Sequence, residues 1–281
     1  MTAPPRYMPY AHARLSRRPG THPLDPANWI ETGPDHEAQM AERDRILADI
    51  PEAAMAVPGS EAAVAELGTV LRDALAGRED HAVLAGAIRR PDGETVPLGG
   101  PPLTVIGRLV QEDFCVLEKP HSDAEYVLTA AVLCFPSRWR LADKMGRPLT
   151  AIHAGVPDYT DDIPHRVNRL FDGIAPERPL WRANWSIHDR ATLRQTAPPR
   201  NPPPTDALFI RVERQTFRRL PRSRAVVFGI RTHIDPLDAV PPDAARALVR
   251  SLDAQSDAEI AYRGGRAIHD LALRRLRAIA A

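Results

Sequence analysis

Residues 211–235 read "RVERQTFRRLPRSRAVVFGIRTHID". Two alternating runs flank Pro221–Arg224, the pattern of antiparallel strands joined by a turn. With Leu220 facing Ala225 across that turn, Phe209, Arg211, Glu213, Gln215 and Phe217 share one face. Val226, Phe228, Ile230 and Thr232 are then their cross-strand neighbours. Arg214, Thr216, Arg218, Arg231 and His233 fall on the other face, which is expected to be wet. A slip of one residue would invert the pairing face, but the alternation within each strand would survive it. Burying a carboxylate among aromatics is costly without a partner. Glu213 is therefore either ion-paired to Arg211 at the edge of the core or a pocket carboxylate that binds a cation or moves a proton.

Working outward, "LTVIGRLV" (103–110), "FCVLEK" (114–119) and "EYVLTAAVLCF" (125–135) read as strands, the last long and central. Ser137 is expected to cap a short helix in "RWRLADKM" (138–145), closed by Gly146. A further helix begins near Asp161, with Ile163, Val167, Leu170, Phe171 and Ile174 on one face. "PLWRANWSIHD" (179–189) returns to strand alternation, with Trp181, Ala183 and Trp185 on one face and Arg182 and Asn184 on the other. The proline-rich "APPRNPPPTD" (197–206) is an exposed loop.

The core order is strand, strand, helices, then three strands, which makes the fold α+β. It is also the order of a PAS domain, which holds cofactors between its helices and one sheet face. The run at 103–110 and the terminal helices are additions. N-terminal helices are expected near 36–50 and 60–77, the second between Ser60 and Gly77, followed by the connection "RRPDGETVPLGGPP" (89–102). From Pro241 onward there are one or two helices, broken near Gly264 and Gly265. The units are an arm (1–22), a helical section (23–100), the core (101–238) and C-terminal helices (239–281).

The chain has 281 residues, 43% apolar and 26% charged, with net charge +1. That suits a globular protein and gives no global electrostatic case for nucleic acid. The two cysteines, Cys115 and Cys134, lie in apolar runs and read as buried thiols. Without a Cys-x-x-Cys pair the chain has no obvious iron–sulfur or zinc site of its own. No apolar run reaches the ~20 residues that span a bilayer. The basic, proline-containing first twenty residues read as a flexible arm on a cytoplasmic protein. Glycine fingerprints for dinucleotides, P-loops and nucleophile elbows are all missing.

Among the ten histidines, none has metalloprotease spacing. His165 lies off the apolar stripe of its helix and is expected to be exposed, and His188 ends a strand. His153 sits in "RPLTAIHAGVPDY" (147–159) and reads either as a hydrogen-bonded loop histidine or as a single axial ligand to haem iron. Arg138, Arg140, Lys144 and Arg147 surround Trp139. They form either a solvated helix face or an anion clamp, for example for porphyrin propionates. The tryptophans of "WRANWS" are core packing or a stacking surface for a flat cofactor.

Together, "LDPANWIE" (24–31), "FPSRWRLADKMGRPLTAIHAGVPDY" (135–159), "PLWRANWSIHD" and "LFIRVERQTFRRLPRSRAVVFGIRTHIDPL" (208–237) resemble the haem-dependent oxidative N-demethylase alpha-subunit-like family. The resemblance runs over roughly residues 20–250 and implies a PAS-like core holding haem b. It implies oxidation of a small amine such as dimethylamine by O2, releasing formaldehyde. It also implies electrons from NADPH through a separate flavin (FMN) and iron–sulfur reductase, which agrees with the absence of such motifs here. Carried over, His153 is the iron ligand and Glu213 the distal acid, with Gln215 and Arg211 beside it. Arg138 holds a propionate, and Trp185 and Phe217 lie against the cofactor. Where family members often read "AIHAPVPGY", this chain has Gly155 and Asp158. Neither nucleic acid nor membrane is an expected partner. Two rivals remain at this point: a haem-based gas or redox sensor, and a PAS-like protein that binds some other ligand.

Overall fold

The computed structural model describes residues 4–11, 20–122, 124–154, 157, 162–198 and 206–281. Its strands in chain order are β1 (His22–Pro23), β2 (Ala54–Ala56), β3 (Ala82–Leu84), β4 (Ala87–Arg89), β5 (Thr95–Pro97), β6 (Asp113–Glu118), β7 (Val127–Val132), β8 (Leu180–His188), β9 (Phe209–Arg219) and β10 (Val226–Pro236). The helices are α1 (His36–Asp49), α2 (Glu61–Ala76), α3 (Pro102–Leu109), α4 (Leu149–Ile152), α5 (Asp162–Gly173), α6 (Pro242–Asp253), α7 (Asp257–Arg263) and α8 (Arg266–Ala280). Seven strands form one sheet in the order β1-β8-β9-β10-β6-β7-β2, and β3-β4-β5 form a second. Among the described residues every pairing between these strands is antiparallel, so the fold is α+β.

The β9–β10 hairpin is the centre of the large sheet. Its register is the expected one: Leu220 N donates to Ala225 O at 2.8 Å, and Phe217 faces Phe228. Their rings stack with centroids 5.1 Å apart. Arg224 takes a left-handed φ of 63° to close the turn. Glu66 of α2 holds the turn from outside, accepting hydrogen bonds from Arg222 N and Ser223 N, each at 2.7 Å.

The front face of the sheet carries Glu213 and Phe217. Leu149 and Phe171, from α4 and α5, pack there against Phe217, Ile230 and Cys115. The stripe expected on α5 is present in Phe171 and Ile174, which are buried, while His165 is exposed. The Ile163 side chain lies outside the described residues. The rear face is covered by α1–α3 and by the chain leading into α1, with α6 and α8 over β8 and β9.

The rear face is not wet. Arg231 is fully buried, and Arg214, Thr216 and His233 are buried too. Arg231 donates to Asp35 Oδ1 and to Gln39 Oε1, each at 2.7 Å, and Arg214 donates to Trp29 O at 3.2 Å. Each guanidinium thus finds its acceptors on a segment distant in sequence, which alternation within the hairpin does not reveal. Glu31 N and Gly33 N of that segment donate to the Glu112 and Gln111 side chains at 2.9 Å.

Several other expectations change. Residues 103–110 are not a strand: most of the run is the helix α3. Leu103, Ile106 and Leu109 recur at helical spacing, and Pro102 sits at the first helical positions. Gly107 lets this helix press on β7, because a Cβ there would come within 2.5 Å of Val132 Cγ2. The run 138–145 holds only a single 3-10 turn, Leu141–Asp143, because Arg138 adopts φ 65° and Ser137 bridges Gln195. The connection at 89–102 contributes to the small sheet instead of a loop. β7 is one strand from the sheet edge, not central, and three C-terminal helices replace one or two. The break between α7 and α8 does fall on Gly264 and Gly265, at φ 135° and 86°.

Within the first 22 residues, the turn Pro9–Ala11 is seated, with Tyr10 buried edge-on to Trp185 at 5.9 Å. Residues 1–3 and 12–19 of the expected arm lie outside the described residues, as do Gly155 and Asp158. Both cysteines are free and buried, and burial pushes each thiol up to about 12. No helix among the described residues is long and apolar enough to cross a membrane.

His188 and His233 are both buried, and desolvation is the main cause that pushes each imidazole from 6.5 down to about 3. Below 6.5 the unfolded chain binds protons that the folded chain refuses until about 3. Stability is therefore whole above the unfolded value and is lost as pH falls through this window, at about 1.4 kcal/mol per pH unit per histidine. The urea midpoint is expected to drop between pH 7 and pH 5, and to drop less in His233→Gln. A midpoint that is flat over that range would contradict the burial of both rings.

Candidate active site

Alternation along β9 aims Arg211, Glu213, Gln215 and Phe217 at the front face. Pairing with β8 sets Ser186, Asn184, Arg182 and Leu180 opposite them, and β10 supplies Ile234, Thr232, Ile230 and Phe228. Arg211 is fully buried. It donates to Glu213 Oε1 at 3.1 Å, Leu193 O at 2.7 Å, Phe135 O at 2.6 Å and Thr232 Oγ1 at 3.1 Å. Glu213 Oε2 accepts from Gln215 Nε2 at 3.0 Å, and Gln215 Oε1 accepts from Arg182 Nε at 2.6 Å. The result is a polar row, Arg182–Gln215–Glu213–Arg211, running across two strands. The ion pair with Arg211 is real, yet the Glu213 side chain keeps 15% exposure. The carboxylate is therefore both neutralised and accessible.

His153 follows α4 on the helical side of the front face. Its Nδ1 lies 2.9 Å from Leu149 O. A carbonyl only accepts, so Nδ1 carries the proton and the lone pair of the neutral ring sits on Nε2. Burial, helped by Lys144 and Arg182, lowers the His153 pKa against the opposing pull of the Leu149 carbonyl, which keeps the ring neutral at pH 7. Lys144 Nζ donates to Ile152 O at 3.0 Å and sits 4.9 Å from the Trp139 ring centroid. Arg182 Cζ lies 5.9 Å from the centroid of Phe217. Burial also lowers the Arg182 pKa, against the attraction of Glu213.

Of the residues read from the sequence, Arg211, Glu213, Gln215 and Phe217 come together, and Arg182 links them electrostatically to His153. Arg138 lies elsewhere, at the end of β8. It donates to Arg263 O at 2.6 Å and Ile187 O at 2.9 Å, which leaves Nε as its one buried unpartnered donor. Desolvation lowers it to about 10. Trp185 faces the rear, because it pairs with Val212 and packs on Tyr10 and Arg263. Trp185 and Phe217 therefore cannot line one surface. Arg182 was given no role from the sequence. Its signal was its alternation with Trp181 and Trp185, which puts it on the Glu213 face once Leu180 is set opposite Phe217.

The family model described as haem-dependent oxidative N-demethylase, alpha subunit-like, matches residues 20–273. The chain belongs to this family. For a haem-dependent oxidative N-demethylase alpha-subunit-like protein the donor set fits the cofactor. Among the described residues no three His, Cys, Asp or Glu side chains converge as a metal centre. A porphyrin supplies the in-plane ligands itself, so haem iron needs only one histidine. A neutral imidazole with Nδ1–H held by a carbonyl is the form that ligates through Nε2. Phe217 and Ile230, buried under Leu149 and Phe171, and the half-buried Phe228 make this side of the front face apolar. The "alpha subunit" of the family description points to partner subunits.

Proposed function

We propose that this chain binds haem b through His153 and oxidatively demethylates a small amine of the dimethylamine type. Its electrons come from NADPH through a separate flavin and iron–sulfur reductase. The observation that carries this reading is the hydrogen bond of His153, whose Nδ1 is committed to Leu149 O at 2.9 Å. A PAS-like core is supported by the strand order: β6 and β7, then α4 and α5, then β8, β9 and β10, with β6 beside β10. In balance, one N-methyl amine, one O2, two electrons and two protons give the amine with N–H in place of N–CH3, formaldehyde and water.

Bound haem would supply dioxygen activation. The chain supplies the rest. Leu149 O fixes the His153 tautomer. Phe217, Phe228 and Ile230 keep their side of the front face apolar. Glu213 accepts a hydrogen bond from the amine N–H and so orients the methyl group; Gln215 and Arg211 fix its rotamer. Asn184, opposite Glu213 on β8, is exposed, so protons consumed at Glu213 can be replaced from water. A histidine ligand donates electrons less strongly than a thiolate, which raises the demand on this proton delivery.

The test is turnover by the haem-loaded chain with NADPH and an added flavin/iron–sulfur reductase. Formaldehyde and the shortened amine are expected in equal amounts. Glu213→Gln is expected to lower turnover about 10²- to 10⁴-fold. An unchanged rate removes Glu213 from the reaction. Haem-loaded protein that reduces O2 but releases no formaldehyde from any N-methylamine overturns the demethylase reading.

A further inference from the structure

The site has more cations than its own anion can match. Arg211 is paired with Glu213 at 3.1 Å. Lys144 is held by the Ile152 carbonyl and the Trp139 ring, and among the described residues no carboxylate pairs with it. Arg182 spends its Nε on an uncharged acceptor, the Gln215 amide, at 2.6 Å. Among the described residues its two Nη groups have no hydrogen-bond acceptor, and no carboxylate lies within ion-pair distance of it. A half-buried guanidinium flanked by an aromatic ring and an amide, with its fork of donors left over, is a poor arrangement for stability alone. It is a good one for a planar, bidentate carboxylate.

We infer that Arg182, with Lys144, forms a carboxylate-binding subsite beside His153. The inference rests on the haem reading above and extends it. The carboxylate belongs either to a porphyrin propionate or to the substrate, which would then be an N-methyl amino acid. Arg182 thereby takes the anion-holding role expected of Arg138, whose Nη groups are committed to main-chain carbonyls. Lys144, on the turn before α4, adds a point charge to the same subsite. Glu213 is left to the amine end of whatever binds.

Titration of the full-length apo-chain with haemin and with haemin dimethyl ester, in which both carboxylates are blocked, separates these cases when the Soret band is followed. The haem-loaded protein is then titrated with dimethylamine and with N-methylglycine, following the spectral change. If the carboxylate is a propionate, wild type prefers haemin over the ester by about tenfold or more, Arg182→Gln loses that preference, and Arg182→Lys keeps part of it. If it belongs to the substrate, Arg182→Gln binds both porphyrins as wild type does but loses about tenfold more for N-methylglycine than for dimethylamine. Arg182→Gln with all four affinities within about twofold of wild type overturns the subsite while the haem reading stands. Wild type that takes up neither porphyrin overturns the haem reading itself. Far-ultraviolet circular dichroism and the urea midpoint of each variant separate binding loss from unfolding.

Discussion

Replacing His153 with glycine abolishes the Soret band of the haem-loaded chain, and imidazole added to the buffer restores it. The expectation follows from one hydrogen bond and one charge balance. Leu149 O holds Nδ1–H at 2.9 Å, so the ring presents Nε2 in a fixed direction. Burial together with the Lys144 and Arg182 charges disfavours the imidazolium, so no proton competes with iron at neutral pH. Changes to groups that merely orient a ligand commonly cost 10- to 100-fold in metal affinity, and removing the ligand itself is expected to cost more than about 100-fold. Free imidazole should fill the space the side chain leaves and restore the band without restoring the tether. His165→Ala, exposed on α5, is the control and leaves the spectrum unchanged. A Soret band that is unaltered in His153→Gly would move the ligand elsewhere.

Arg43→Ala is expected to lower the unfolding free energy by about 3–5 kcal/mol, the range for breaking a buried ion pair. Arg43 is fully buried at the heart of α1, with Asp113 Oδ1 at 2.7 Å. It also donates to Gly107 O at 2.9 Å, Glu112 O at 2.8 Å and Gln111 O at 3.3 Å. Asp113 in turn accepts from Cys134 N and Phe135 N, each at 2.8 Å. One guanidinium thus joins α1, the end of α3, the start of β6 and the exit of β7. Removing it strands a buried carboxylate and several carbonyls at once. Arg45, on the outer side of the same helix, pairs with Asp49 at 3.6 Å with both side chains exposed, and Arg45→Ala should stay within about 0.5 kcal/mol of wild type. Equal urea midpoints for the two variants would mean that the Arg43 cluster does not tie these elements together.

The hairpin was legible because its information is local. A turn at Pro221–Arg224 and strict alternation were enough to pair Phe217 with Phe228 and to set Glu213 on the front face. What covers a face is not local information. Arg214 and Arg231 looked solvated because their acceptors, Trp29 O, Asp35 and Gln39, lie 185 to 196 residues away in the chain. The run at 103–110 misled for another reason: a short apolar segment with valine and isoleucine satisfies both periods, and the proline at its start decides for helix. Glu213, Gln215, Arg211 and Phe217 were readable as one group from their shared strand. Arg182 needed the β8–β9 register, in which Leu180 meets Phe217 and Trp185 is sent to the rear. His153 stood out by its surroundings in sequence, but its tautomer came only from the distance to Leu149 O.

The most direct measurement is a titration of the wild-type apo-chain with haemin, read in the visible spectrum. The account predicts a Soret band that saturates at one haem per chain and shifts when dithionite reduces the iron. A featureless titration, in which added haemin keeps the spectrum of free haemin at every ratio, would contradict it.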